Sequence, residues 1–193
     1  MARRTVEFSE GSFYHVYNRG VGRQNIFLAR DNYEFVMRKI SLYSDELAVR
    51  MVACCLMPNH YHFLLRQTGV QPAGLLPQRV FNSYTKALNR FAGRTGTLFE
   101  SPFKAKRVDR NEYLAHLCWY VHMNPVSAGL VNGIEDWTYS NYLECVGKRK
   151  RWAFDEEFIA EFFGSFSGYG EFIRSYEALP RQDEKLKEYL LDE

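Results

Sequence analysis

Two histidines separated by one residue interrupt an apolar stretch, LMPNHYHFLL at residues 56–65. In an extended strand successive side chains point to opposite faces, so His60 and His62 share a face with Leu64 and Arg66, while Tyr61, Phe63 and Leu65 share the other. The second set forms the expected core face, and the imidazoles are expected on a side that need not be buried. At roughly 7 Å between Cα atoms, two neutral imidazoles can converge on one metal ion. A second stretch, WYVHMNP at 119–125, offers a third donor. Tyr120 and Asn124 lie four apart and share one helical face, and Pro125 is expected to end the helix at Asn124. The Asn124 amide oxygen completes a His60, His62, Asn124 set suited to a hard divalent ion, Mg²⁺ or Mn²⁺. Tyr120 then stands one turn from a ligand, placed to attack whatever the metal polarises. Taken singly, a surface histidine pair and a buried aromatic beside an Asn cap are the plainer readings. Together the two stretches favour a site.

The elements that must hold these residues follow from periodicity. SFYHVYNRG alternates and reads as a strand over 13–18. From Asp31, a candidate N-cap, the spacing turns helical, with Phe35, Met37, Ile40 and Leu42 apolar. AVRMVACCLM and HYHFLLRQ read as two strands joined by a tight Pro58-Asn59 turn. LLPQRVFNSYTKALNRFAGRTG is helical, with Val80, Phe81, Tyr84, Ala87, Leu88 and Phe91 on the packed side. Its other side carries Lys86, Arg90 and Arg94 four apart in one stripe. LFESPFKAKRVD reads as a fourth strand and NEYLAHLCWYVHMN as a further helix. The order β-α-β-β-α-β predicts an α+β, ferredoxin-like (RRM-like) antiparallel sheet with helices on one face. Residues 1–136 form the predicted domain, and 137–193 a C-terminal helical extension packed on it, ending in a charged segment over 183–193.

The formal charge of +2 conceals an asymmetry. Residues 1–110 carry 17 Lys and Arg against 8 Asp and Glu, and residues 111–193 carry 8 against 15. A basic first part suits a polyanionic partner. No apolar run reaches signal-peptide or membrane-span length, which predicts a cytoplasmic protein. Cys54, Cys55, Cys118 and Cys145 lack metal spacing and read as buried free thiols.

The strings FYHVYNRG, MPNHYHFLL, FKAKRVD and YVHMNPVSAGLV, in this order across residues 12–131, resemble the REP-associated tyrosine transposases, single-tyrosine transposases with a His-hydrophobic-His (HUH) motif. The resemblance implies that His60 and His62 are metal ligands, that Asn124 assists the metal and that Tyr120 is the nucleophile. It implies a sequence-specific endonuclease that cuts and rejoins single-stranded DNA at hairpin (REP-type) elements through a 5′-phosphotyrosine intermediate. It further implies a nucleoid-associated protein working as a monomer, with a helix-swapped dimer as the alternative. Two departures stand out: Ser127 where a basic residue is common, and Tyr61 where a smaller aliphatic is usual.

Candidate phosphate contacts are Arg3, Arg4, Arg19, Arg23, Lys86, Arg90, Arg94, Lys104 and Lys106. Tyr14, Tyr17 and Phe103 are candidates for base stacking but fit core packing better. Rival readings are a catalytically silent DNA- or RNA-binding regulator of the same fold and a phosphodiesterase that uses water. Tyr113 is the substitute nucleophile, and His122 a weak candidate base.

Overall fold

The computed structural model describes residues 6–150 and 154–176. Four strands, β1 (Phe13–Arg19), β2 (Val49–Leu56), β3 (His60–Gln67) and β4 (Lys104–Val108), form one sheet in the order β2-β3-β1-β4. Every neighbouring pair is antiparallel. With helices α1 (Arg30–Leu47) and α2 (Leu75–Phe91) joining β1 to β2 and β3 to β4, this is the ferredoxin-like order expected. Helix α3 (Asn111–Ser127) follows, then α4 (Tyr142–Cys145), α5 (Glu156–Phe163) and α6 (Phe166–Ser175).

Strand alternation divides the core into two layers. Tyr14, Val16, Tyr61, Phe63 and Leu65 pack beneath α1 and α2 through Val36, Ile40, Val80, Phe81 and Tyr84. Helix α1 buries Tyr33, Val36, Met37, Ile40, Ser44 and Leu47, so the expected apolar Leu42 faces outward instead. Asp31 is not the cap. The N-cap is Ala29, and the Asn32 side chain reaches back to accept from the Leu28 and Ala29 amides at 2.9 and 3.1 Å. In α2, Ala87 and Phe91 are exposed rather than packed, Phe91 by 91%. Gly93, at φ +59°, ends that helix, with the Arg94 amide donating to the Asn89 carbonyl at 3.0 Å. Arg94 therefore lies beyond the helix and does not continue the Lys86–Arg90 stripe.

The opposite face of the sheet, expected to be open, is covered by α3. Val52, Ala53, Cys55 and Leu64 pack against Leu114, Leu117, Cys118 and Val121, and the same layer takes in Tyr142, Phe158, Ile159, Tyr169 and Ile173 from α4 to α6. Helix α3 is buried on nearly every side because it lies between the sheet and these helices. Pro125 does not end it. The Ala128 amide donates to the Asn124 carbonyl at 2.9 Å and the helix runs on to Ser127, although Pro125 has no N–H to donate and its ring crowds the Val121 carbonyl one turn back.

The segment after α3 also closes the outer edge of β2, an edge that would otherwise offer unpaired backbone groups. The Leu56 amide donates to the Tyr139 carbonyl, the Asn141 amide to the Cys54 carbonyl and the Asp155 amide to the Met51 carbonyl, all within 2.9–3.1 Å. The Asn141 side-chain oxygen accepts from the Cys54 amide at 2.6 Å and from His122 Nε2 at 2.9 Å. His122 Nδ1 in turn accepts from the Tyr169 hydroxyl at 2.8 Å. His122 is thus a buried tie between α3, β2 and α6, not a candidate base for Tyr120. Of the basic run at 148–151, Lys148 pairs with Glu135 and Arg149 with the buried Glu144. All four cysteines are buried free thiols. Arg3, Arg4 and the charged end over 183–193 lie outside the described residues. Among those described, no helix is long and apolar enough to cross a membrane.

Burial lowers the His122 pKa to about 4, partly offset by the bond to Asn141, and lowers those of His60 and His62 as well. Imidazoles that titrate near 6.5 when unfolded therefore stay neutral when folded. Stability should be level above pH 6.5 and fall as the pH drops from 6.5 towards 4, by on the order of 3 kcal/mol for His122 alone. Thermal melts across this range should show it, and a melting temperature that does not decline between pH 6.5 and 4.5 would contradict it.

Candidate active site

The tight turn between β2 and β3, closed by the Met57 amide donating to the His60 carbonyl at 2.9 Å, presents Asn59 and starts β3 at His60. The Asn59 amide nitrogen donates to the Arg23 carbonyl at 3.2 Å, which fixes the orientation of that side chain. Its oxygen then accepts from His60 Nδ1 at 2.6 Å. With its proton on Nδ1, His60 presents a lone pair at Nε2. The Asn124 side-chain oxygen lies 3.3 Å from that nitrogen.

His62 is fully buried. Its strand neighbours explain why: Tyr17 of β1 pairs directly with it, Cys55 of β2 flanks it on the other side, and α3 lies above. The Tyr120 ring stands edge-on to the His62 ring, centroids 5.3 Å apart, and the His60 and His62 rings are 5.0 Å apart. Position i to i+4 on α3 puts Asn124 beside His60 and Tyr120 beside His62. The four residues singled out from two distant stretches of sequence are therefore adjacent. Tyr113 is buried beneath the guanidinium of Arg110 and packs in the helical layer.

Among the described residues no three His, Cys, Asp or Glu side chains gather to hold a metal, so any ion here depends on the Asn124 amide. The polar atoms fit such an ion. Two lone pairs, His60 Nε2 and Asn124 Oδ1, face one another, an arrangement relieved by a shared cation or by an amide rotated to donate. Two buried atoms alongside, His62 Nε2 and Asn124 Nδ2, have no hydrogen-bond partner among the described residues. The donor set, two imidazole nitrogens and one amide oxygen, suits a divalent ion that keeps waters.

A cleft of ≈350 Å³ opens over this corner, lined by Arg19, Arg23, Asn25, Asn59, His60, Asn124 and Ser127. Gly20 makes the turn that carries Arg23 possible, because a Cβ there would strike the Gln24 carbonyl oxygen and the Ile26 side chain. Arg19 is ion-paired with Glu100 at 3.4 Å. Ser127, where the resemblance leads one to expect a base, lines the same cleft. Lys104 and Lys106 pair across β1 with Tyr17 and His15 and so extend along the same sheet face. Lys86 and Arg90 project from α2, on the other side of the sheet. Tyr14, Tyr17 and Phe103 are buried and belong to the packing.

Sequence reading passed over two residues. Asn59 holds His60, and His15 is fully buried with Nε2 3.1 Å from His62 Nδ1. The parity of His15 in β1 was legible, but its neighbour depends on strand order and register.

No protein-family model and no curated protein matches the chain. A solved structure described as a REP-associated tyrosine transposase bound to a REP hairpin matches it with a TM-score of 0.65 at 18% identity, covering 80% of this chain and 93% of that one. A candidate transposase from Deinococcus radiodurans matches at a TM-score of 0.40 and 16% identity, over 63% of this chain and 94% of that one. At these identities the likeness is one of fold: the chain is built on the fold seen in a REP-associated tyrosine transposase.

Proposed function

We propose that this protein is a transposase-type enzyme that nicks and rejoins single-stranded DNA beside a hairpin, with Tyr120 as nucleophile. The observation that carries the reading is the juxtaposition of the Tyr120 ring with His62, and of Asn124 with His60, under a cleft walled by Arg19 and Arg23. The shared fold with a hairpin-bound transposase supports it.

The cleft binds the DNA backbone, Arg23 and Arg19 neutralising phosphate charge and fixing its register. Lys104 and Lys106 continue the basic surface along the edge strand, Lys86 and Arg90 give a second basic surface on the far side, and Arg94 stands apart from them in the turn after α2. His60, His62 and Asn124 hold the divalent ion, Mg²⁺ or Mn²⁺, which when bound supplies Lewis-acid polarisation of a non-bridging phosphate oxygen. Asn59 keeps the His60 lone pair turned towards that ligand position. Tyr120 Oη attacks phosphorus, the P–O3′ bond breaks, and the products are a 5′-phosphotyrosine and a free 3′-hydroxyl. The phenolic proton passes to water, and the departing 3′ oxygen takes one up. The covalent intermediate conserves the phosphodiester bond, and a second 3′-hydroxyl rejoins the strand by the reverse attack.

Tyr120→Phe should abolish the covalent protein–DNA adduct on a hairpin oligonucleotide with Mn²⁺, read on a denaturing gel, and should lower cleavage by at least about 10³-fold. An adduct that persists in this variant rules Tyr120 out. His60→Ala and His62→Ala should each lower cleavage at least about 100-fold while gel-shift affinity stays near wild type. Full activity in EDTA would exclude the metal. A protein that only binds DNA would leave the oligonucleotide intact throughout, and one that uses water would cut it without an adduct. Arg23→Ala should weaken DNA binding and reduce the slope of log affinity against log salt by about 1; an unchanged slope would remove Arg23 from the phosphate path.

A further inference from the structure

We propose that His15 is a positioning residue that sets the tautomer of His62 and so decides which ring nitrogen His62 turns towards the ligand position; the inference rests on the reading of His62 as a ligand. His15 lies on β1, two residues before Tyr17, the direct strand partner of His62. Both imidazoles are fully buried. Their rings are nearly parallel, at 13° with centroids 5.3 Å apart, and His15 Nε2 stands 3.1 Å from His62 Nδ1.

A hydrogen bond between two neutral imidazoles needs one donor and one acceptor. If His15 donates, His62 must carry its proton on Nε2, an atom that is buried and has no hydrogen-bond partner among the described residues. If His62 donates from Nδ1, the same Nε2 holds a lone pair. The second arrangement places the His15 proton on its own buried Nδ1, so hydrogen-bond count alone does not choose between the two. With His62 Nδ1 taken up by His15, a His62 that ligates must do so through Nε2, and that requires the second. It also matches His60, whose Nδ1–H is held by Asn59.

The two histidines are thus prepared alike, each held at Nδ1 and each with Nε2 as the lone pair, but by different means. Asn59 belongs to a turn at the edge of the cleft, whereas His15 belongs to a central strand inside the core. A histidine that binds a metal is held in this way by a group on its other nitrogen. The Tyr120 ring stands edge-on to both imidazoles, 6.4 Å from His15 and 5.3 Å from His62, so the stack also bears on the ring of the nucleophile.

Long-range ¹H–¹⁵N correlation spectra of the full chain, without metal or DNA, should show His62 protonated at Nδ1 and bare at Nε2. His15→Leu should lose that preference and bind Mn²⁺ about 10–100-fold more weakly by calorimetry. His15→Gln, whose amide oxygen can accept the same bond, should recover most of the affinity. A wild-type His62 protonated at Nε2 would overturn the proposal without recourse to any variant, as would a folded His15→Leu that binds Mn²⁺ like the wild type. A wild type that binds no Mn²⁺ would overturn the ligand reading itself. The tautomer, read with no metal present, separates that result from a failure of the His15 assignment.

Discussion

Helix α3 must lie across the second face of the sheet, and the rest of the site depends on this one packing constraint. Its apolar residues run all round it, so no single surface could bury them; sheet on one side and α4 to α6 on the other satisfy them together. Once α3 is so placed, Tyr120 and Asn124 are carried to β3 without any contact of their own having to hold them there. The His122, Asn141 and Tyr169 hydrogen bonds pin the helix in rotation as well as position, because a slip by one residue would leave each of these buried polar groups unpaired.

The same constraint explains an otherwise costly feature. A buried imidazole with one nitrogen unpaired works against stability, yet His62 is wholly enclosed, and among the described residues its Nε2 and the Asn124 Nδ2 have no hydrogen-bond partner. Asn124 and His60 line the cleft that Arg19 and Arg23 wall, and the His62 ring lies 5.0 Å from that of His60. Unsatisfied polar atoms gathered at one place, with bonds fixing the nitrogens behind them, are what a site for a charged ligand requires. His122 of α3, equally buried but bonded at both nitrogens, shows how a purely structural histidine is accommodated.

Much of this was legible from residue order. The β-α-β-β-α-β plan followed from alternation and helical spacing, and the i, i+4 relation of Tyr120 and Asn124 and the shared parity of His60 and His62 are properties of single elements. Errors arose where tertiary packing overrode a local rule. Pro125 was expected to stop a helix that continues to Ser127, since burial on both sides offsets one missing hydrogen bond. Phe91 was assigned to the packed side of α2, but the helix ends there, beyond the reach of the sheet. The histidine face was expected to be open because alternation identifies which residues share a face and says nothing of what covers it.

The sequence by itself therefore determined the elements, the candidate chemistry and the pairs within each stretch, because these depend on the 2.0 and 3.6 residue periods of a single strand or helix. Only the tertiary structure decided that His60 meets Asn124, that His62 meets both Tyr120 and His15, and that His122 is taken up elsewhere. Those meetings depend on strand order, register and helix placement, which are set by the joint burial of many side chains and are encoded in no local pattern.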